Sequence, residues 1–170
     1  MRYRLYMPED FDTLYAIERL CFQPPLRFSH GYLEKVTQAR NGATWVAESD
    51  AGNLAGFAVL EWKREREDGV VAYVVTIDVL QEHRRQGVGS ELLRRMEESA
   101  QASGAWCIWL HVDARNEAAR KLYCKHGYDK AGAAKNFYGP GRVAEILLKV
   151  LARDWTLRGS SVRRDEAKGE

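Results

Sequence analysis

The residues Arg84-Arg85-Gln86-Gly87-Val88-Gly89-Ser90 have the types and spacing to hold an anion. They follow a β-branched stretch, Thr76-Ile77-Asp78-Val79, and lead into the helical pattern that starts at Glu91-Leu92-Leu93. The first turn of a helix presents backbone N–H groups without internal partners, and the helix dipole adds partial positive charge there. Phosphate binds readily at such a place. Gly87 and Gly89 let the backbone approach the anion closely. Arg84 and Arg85 add charge-assisted donors. The spacing fits neither a Walker loop, which needs Gly-Lys-Ser/Thr, nor the dinucleotide pattern Gly-x-Gly-x-x-Gly.

The elements around this segment set its context. Residues 2–7 alternate apolar and polar and read as a short strand. Pro8-Glu9-Asp10 opens a helix with Phe11, Leu14 and Tyr15 on its apolar stripe, and Gln23-Pro24-Pro25 breaks it. Ser29 is an N-cap for a second helix with Tyr32, Leu33 and Val36 inward. Residues 44–48 and 54–62 form a hairpin around Asp50-Ala51-Gly52-Asn53. Residues 63–69 read as a charged loop, and 70–79 as a β-branched strand. A helix is expected over 87–103, with Gly104 as its C′ residue. A buried strand over 106–112, a helix over 116–126 ending at Gly127, and two closing strands over 128–137 and 143–150 follow. The predicted order is β-α-α-β-β-β-α-β-α-β-β.

At 170 residues the chain is one domain with room for a hydrophobic core. Its formal net charge of +2, from 26 basic and 24 acidic side chains, gives no electrostatic case for direct nucleic-acid binding. No apolar run approaches the ~20 residues of a membrane helix. The N-terminal residues show no apolar signal core, so a cytoplasmic location is expected. Cys21, Cys107 and Cys124 are scattered and form no Cys-x-x-Cys pair, so neither a disulfide framework nor a metal site is expected. Cys107 reads as core.

The segment 84–90 resembles the acyl-coenzyme A motif of the GCN5-related N-acetyltransferases (GNAT), Arg/Gln-x-x-Gly-x-Gly/Ala. A second segment, from Asn116 through Leu122, Tyr123 and Gly127 to Tyr128, is similar to the family's Asn-x-x-Ala-x-x-Leu-Tyr-x-x-x-Gly-Phe. The resemblance covers about residues 1–150. It implies an α/β (α+β) fold, with a mixed central sheet of about seven strands flanked by about four helices. Residues 1–152 would form the GNAT domain and 153–170 a charged, flexible tail whose removal leaves activity intact. Within the family, the chain looks most like the RimI-type ribosomal-protein alanine acetyltransferases and the NatE-type catalytic subunit. Phe22-Gln23-Pro24, Leu110-His111-Val112 and Asn136-Phe137-Tyr138 carry that likeness.

The same resemblance implies roles. Ile77, Asp78 and Val79 would pair through their main chain with the pantetheine arm of acetyl-CoA. Arg84, Arg85, Gln86, Gly87, Val88, Gly89 and Ser90 would hold its pyrophosphate. Asn116 and Ala119 would sit near the thioester. Tyr73 and His111 would form the base relay that takes the proton from the amine, and Tyr123 would donate to the departing thiolate. Phe22, Pro24, Val75 and Tyr138 would line the acceptor site. The implied reaction is direct attack of an amine, the α-amine of a protein or peptide N-terminus, in a ternary complex. A small amine (polyamine, amino acid or drug) and a catalytically weak acyl-CoA sensor are the alternatives. The expected assembly is a monomer or homodimer. Glu48, Asp78 and Glu145 read as structural or solvated carboxylates, any of them an alternative base, and His30, His83 and His126 as surface residues.

Overall fold

The computed structural model describes residues 1–66 and 68–151. The expected tail, with Trp155, lies outside them. Seven strands form one sheet: β1 (Arg2–Leu5), β2 (Gly42–Glu48), β3 (Leu54–Glu65), β4 (Gly69–Val79), β5 (Ala105–Asp113), β6 (Asp129–Ala134) and β7 (Ala144–Val150). Four α-helices, α1 (Phe11–Cys21), α2 (His30–Thr37), α3 (Val88–Ala102) and α4 (Glu117–Lys125), and two short 3₁₀ turns, Pro8–Asp10 and Gln81–His83, complete the element order among the described residues. The spatial strand order is β1-β2-β3-β4-β5-β7-β6. All neighbours are antiparallel except β4 and β5, which run parallel.

Helices cover both faces of the sheet. Leu14 and Ile17 of α1 and Leu33 and Val36 of α2 pack with Val46, Phe57 and Val59. On the other face Leu92, Met96 and Ala100 of α3 and Tyr123 of α4 pack with Ala58, Leu60, Val74 and Ile108. The i, i+4 spacing of the α3 residues gives one apolar stripe, which is why this segment is a helix and not a strand. Ser29 caps α2 by accepting the Tyr32 N–H at 3.3 Å. Tyr32 itself is not inward; it is 40% exposed and lies against Phe28, with ring centroids 4.9 Å apart.

Strand β4 positions the site. Its pairing with β5 ends at Tyr73 opposite Trp109, and beyond that point the two strands separate. Against β3 the register runs Leu60–Val74, then Val59–Thr76, so Val75 has no partner. This bulge switches the strand over. Before it, Val70, Ala72 and Val74 join the α3 cluster; after it, Ile77 and Val79 do. A bulge adds a residue to one strand and bends it, which here turns the end of β4 away from β5. Gly56 lets β3 follow the bent strand closely. A Cβ there would stand 2.4 Å from the Asp78 carbonyl oxygen.

Two boundaries depart from the sequence expectation. The charged residues 63–65 are not loop but the end of β3, paired with Val71, Val70 and Gly69. β2 stops at Gly42 opposite Glu61, so this part of β3 has only β4 beside it and its charged side chains reach water. β6 ends at Ala134, not at Phe137. Asn136 turns the chain there with φ +55°, and its side-chain oxygen accepts the Gly141 N–H at 2.8 Å.

Candidate active site

A cavity of about 800 Å³ opens where β4 and β5 part. One wall is residues 73–77 of β4, the other is 111–113 of β5. The start of α4 closes one end, and the loops 22–28 and 137–142 frame the mouth. Arg142 is paired with Asp113, with its Nε 2.7 Å from Oδ2. Arg27 and Arg115 also line the cavity and have no carboxylate partner among the described residues. The mouth is therefore net positive.

Tyr73 and His111 meet across the two strands, with the tyrosine oxygen 3.1 Å from His111 Nδ1. Either partner can donate, depending on the imidazole tautomer. The β4–β5 register places Tyr73 beside Trp109, so His111, two residues on, lies on the same face. Trp109 packs against both rings, 4.7 Å from Tyr73 and 5.2 Å from His111 between centroids. Phe137 stacks on the imidazole at 3.9 Å with an interplanar angle of 14°. Burial lowers the His111 pKa below its ordinary value, so the ring is neutral near pH 7 and able to accept a proton. Burial, with Tyr138 adding to it, holds the Tyr73 phenol protonated.

Tyr123 projects from α4 into the other side of the cavity. It is 7% exposed, and burial keeps its hydroxyl protonated well above the ordinary phenol range. Tyr138 is pushed up to about 12, by burial first and then by the charge of Asp113. Asn116 is the N-cap of α4: its side-chain oxygen accepts the Ala119 N–H at 3.1 Å. Its amide N–H groups remain available to a ligand.

Of the acceptor residues read from the sequence, Phe22, Val75 and Tyr138 line the cavity and Pro24 does not; Pro25 stands there instead. Sequence reasoning passed over Phe137, although it had picked out the motif that contains it. It also passed over the Asp113–Arg142 pair, whose partners are 29 residues apart and carry no local signal. Glu48 is paired with Arg4, and Glu145 with Arg120 and Lys130. No group of three metal-ligating side chains occurs among the described residues.

The residues 84–90 lie outside the cavity wall, beyond the far end of β4. Gly87 caps α3 at φ +84°, a left-handed conformation that glycine adopts without strain. Arg85 is also left-handed, at φ +61°. The first helical bond of α3 is from Glu91 N–H to the Gly87 carbonyl, so the N–H groups of Val88, Gly89 and Ser90 are open. Three side chains of the segment are already committed. Arg84 Nε donates to the Val79 carbonyl at 2.8 Å, Gln86 to the Glu82 carbonyl at 2.8 Å, and Ser90 Oγ contacts His126 Nε2 at 2.9 Å. The main chain, Arg85 and the Nη groups of Arg84 are what is left for an anion.

Residues 11–128 match the model of the acetyltransferase (GNAT) family. The chain belongs to the GNAT family. It is similar to an N-alpha-acetyltransferase of Sulfurisphaera tokodaii, 27% identical over 146 residues, 81% of this chain and 86% of the relative. It is also similar to a ribosomal protein bS18 alanine N-acetyltransferase of Salmonella typhimurium, 28% identical over 115 residues, 61% and 77% of the two chains. Among solved structures, Arabidopsis thaliana NAA60 bound to a bisubstrate analogue shares the fold. Its TM-score is 0.77 at 20% identity, covering 88% of this chain and 97% of that one.

The protein is thus a GNAT N-acetyltransferase that uses acetyl-CoA. Its residues fit that donor. The open amides at the start of α3 and the Arg85 side chain suit a pyrophosphate. The parting of β4 from β5 exposes main-chain groups of β4 between the cradle and the cavity. Tyr123 faces the space where those two meet. If Tyr123 donates to the departing thiolate, Tyr123→Phe should lower kcat about tenfold and leave the acetyl-CoA KM unchanged, because the thiolate already leaves well. Steady-state kinetics in both substrates will check this.

Proposed function

We propose that this enzyme acetylates the α-amine of protein or peptide N-termini, by direct attack in a ternary complex. The observation that carries the reading is the Tyr73–His111 contact at the floor of a cavity framed by two loops. An attacking amine must be neutral. Near pH 7 roughly a tenth of α-amines are neutral, with pKa about 8, against well under a thousandth of lysines, at about 10.4. A neutral imidazole of depressed pKa is a base strong enough for the first and poorly matched to the second. The two relatives named above, an N-alpha-acetyltransferase and a ribosomal-protein alanine acetyltransferase, support the same acceptor class.

Acetyl-CoA supplies the activated acetyl group when bound. Each remaining part belongs to this chain. His111 takes the amine proton, directly or through the Tyr73 hydroxyl. A backbone N–H of β4 donates to the acyl oxygen as negative charge develops on it. Tyr123 donates to the thiolate. Phe22, Val75 and Tyr138 surround the first side chain of the acceptor. The reading includes a cytoplasmic location and a monomer or homodimer.

The test is acetylation of an N-terminal peptide library, with the modified atom located by mass spectrometry. Acetyl groups on the α-amine of peptides with one or two preferred first residues are expected. Modification only of lysine side chains or free small amines overturns the reading in favour of a small-amine enzyme. Binding of acetyl-CoA without turnover overturns it in favour of a sensor.

A further inference from the structure

Behind the cavity wall, two carboxyl groups are buried together. Glu18 of α1 is 0% exposed and Asp78 of β4 is 1% exposed. They are neighbours, and Asp78 feels the charge of Glu18 beside it. Glu18 Oε1 accepts the Phe28 N–H at 2.8 Å, and Asp78 Oδ1 accepts from the Thr76 hydroxyl at 2.5 Å. The remaining oxygen of each, Glu18 Oε2 and Asp78 Oδ2, is buried without a hydrogen-bond partner. Two carboxylates cannot face each other in a dry site without a proton between them. One proton shared between the two unpartnered oxygens satisfies both, while Glu18 Oε1 keeps the Phe28 amide and Asp78 Oδ1 the Thr76 hydroxyl.

We propose that Glu18 and Asp78 are a proton-sharing positioning pair that fastens the acceptor loop 22–28 to the bent end of β4. Through it α1, β4 and the far end of that loop are tied at one point. The loop's Phe22, Pro25 and Phe28 line the cavity mouth, so the pair sets where the acceptor enters. That consequence rests on reading the mouth as the amine-acceptor site. The pair is not a catalytic group, since neither carboxyl lines the cavity.

The groups around the pair are few. Cys21 lies beside it on α1, its thiol pushed up to about 11 by burial and then by Asp78. Arg84, in the segment after β4, is the nearby cation, and Thr76 is the neighbour on β4 itself. Burial, then the charge of Glu18, holds the Asp78 carboxyl well above the usual carboxylate range. A carboxyl whose pKa is higher folded than unfolded contributes stability fully below about pH 4, the unfolded value. That contribution is lost as pH rises through the folded value.

The experiment compares the full-length protein with Glu18→Ala and Glu18→Gln. The glutamine amide of the second variant can accept the Phe28 N–H and donate to Asp78, so it keeps every bond without a shared proton. Three readouts are taken: hydrogen exchange at the Phe28 amide, Tm against pH, and KM for each substrate. Glu18→Ala should speed exchange at Phe28 and raise the acceptor KM about tenfold each, with the acetyl-CoA KM unchanged. Glu18→Gln should restore both. It should also flatten the fall in Tm expected of the wild type as pH rises above about 4, the unfolded carboxyl value. Unchanged exchange at Phe28 in Glu18→Ala overturns the proposal, as does the same pH dependence of Tm in Glu18→Gln and wild type. If Glu18→Ala does not fold, Glu18→Gln and the wild type still decide it. Exchange and Tm need no acceptor, so a failed peptide library and a failed positioning pair are told apart.

Discussion

Gly89→Glu should remove measurable acetyl-CoA binding. Gly89 is the second residue of α3, among the three open amides of the cradle. A glutamate there places a carboxylate beside the open amides that the proposed cradle offers to a pyrophosphate. Two like charges about 4 Å apart at an effective dielectric near 20 repel by about 4 kcal/mol, about a thousandfold in Kd. The new carboxylate also satisfies the helix start itself, as an acidic residue in a first turn does. The backbone does not object to a side chain at this position. A Cβ would lie 3.5 Å from Leu122 and 3.8 Å from Val79, ordinary contact distances. Gly89→Ala should therefore fold and bind nearly as the wild type does. Calorimetry on the three proteins checks this; unchanged affinity in Gly89→Glu would remove the cradle from the description.

His111→Ala should lower kcat about a hundredfold while acetyl-CoA affinity stays intact. The imidazole sits in the cavity, remote in the fold from the start of α3, so donor binding and proton removal separate cleanly. The pH profile gives the sharper readout. Burial lowers the His111 pKa, and a base works only when unprotonated. In the wild type, kcat/KM for the acceptor should rise with pH through a limb below pH 6.5, then through a second near 8 set by the acceptor amine. In His111→Ala the lower limb disappears and the upper one remains. A variant that keeps wild-type turnover and both limbs excludes His111 as the base.

Much of this was written locally in the chain. The Gly87-Val88-Gly89 turn, the Ser29 cap, the Leu92, Met96, Ala100 stripe and the glycine stops at 104 and 127 depend on neighbours within a few residues. They gave the element order and the cradle. The Tyr73–His111 pair was legible only through family motifs, because its two members are 38 residues apart. What escaped depended on distant partners. Nothing in Tyr73-Val74-Val75-Thr76 announces a bulge, since none of these residues is a glycine and the bend comes from register against β3. Glu18 falls on the buried stripe of α1, but nothing near it in the chain announces the Asp78 carboxyl it meets. The charge of residues 63–65 argues for loop, yet past the end of β2 this stretch is the sheet's edge, with β4 on one side only, and an edge strand accepts charge.

The unpaired Val75 makes β4 a sentence read in two frames. Up to it, even-numbered side chains belong to the α3 core; beyond it, odd-numbered ones do. Losing or gaining one residue at this point would put Ile77 and Asp78 on exchanged sides, with a carboxyl delivered to a greasy interior and an isoleucine to the proton-sharing pair. Most strands forgive a change of length at their ends. This one tolerates none in its middle, so evolution can vary the side chains that touch an acceptor here far more freely than it can vary their count.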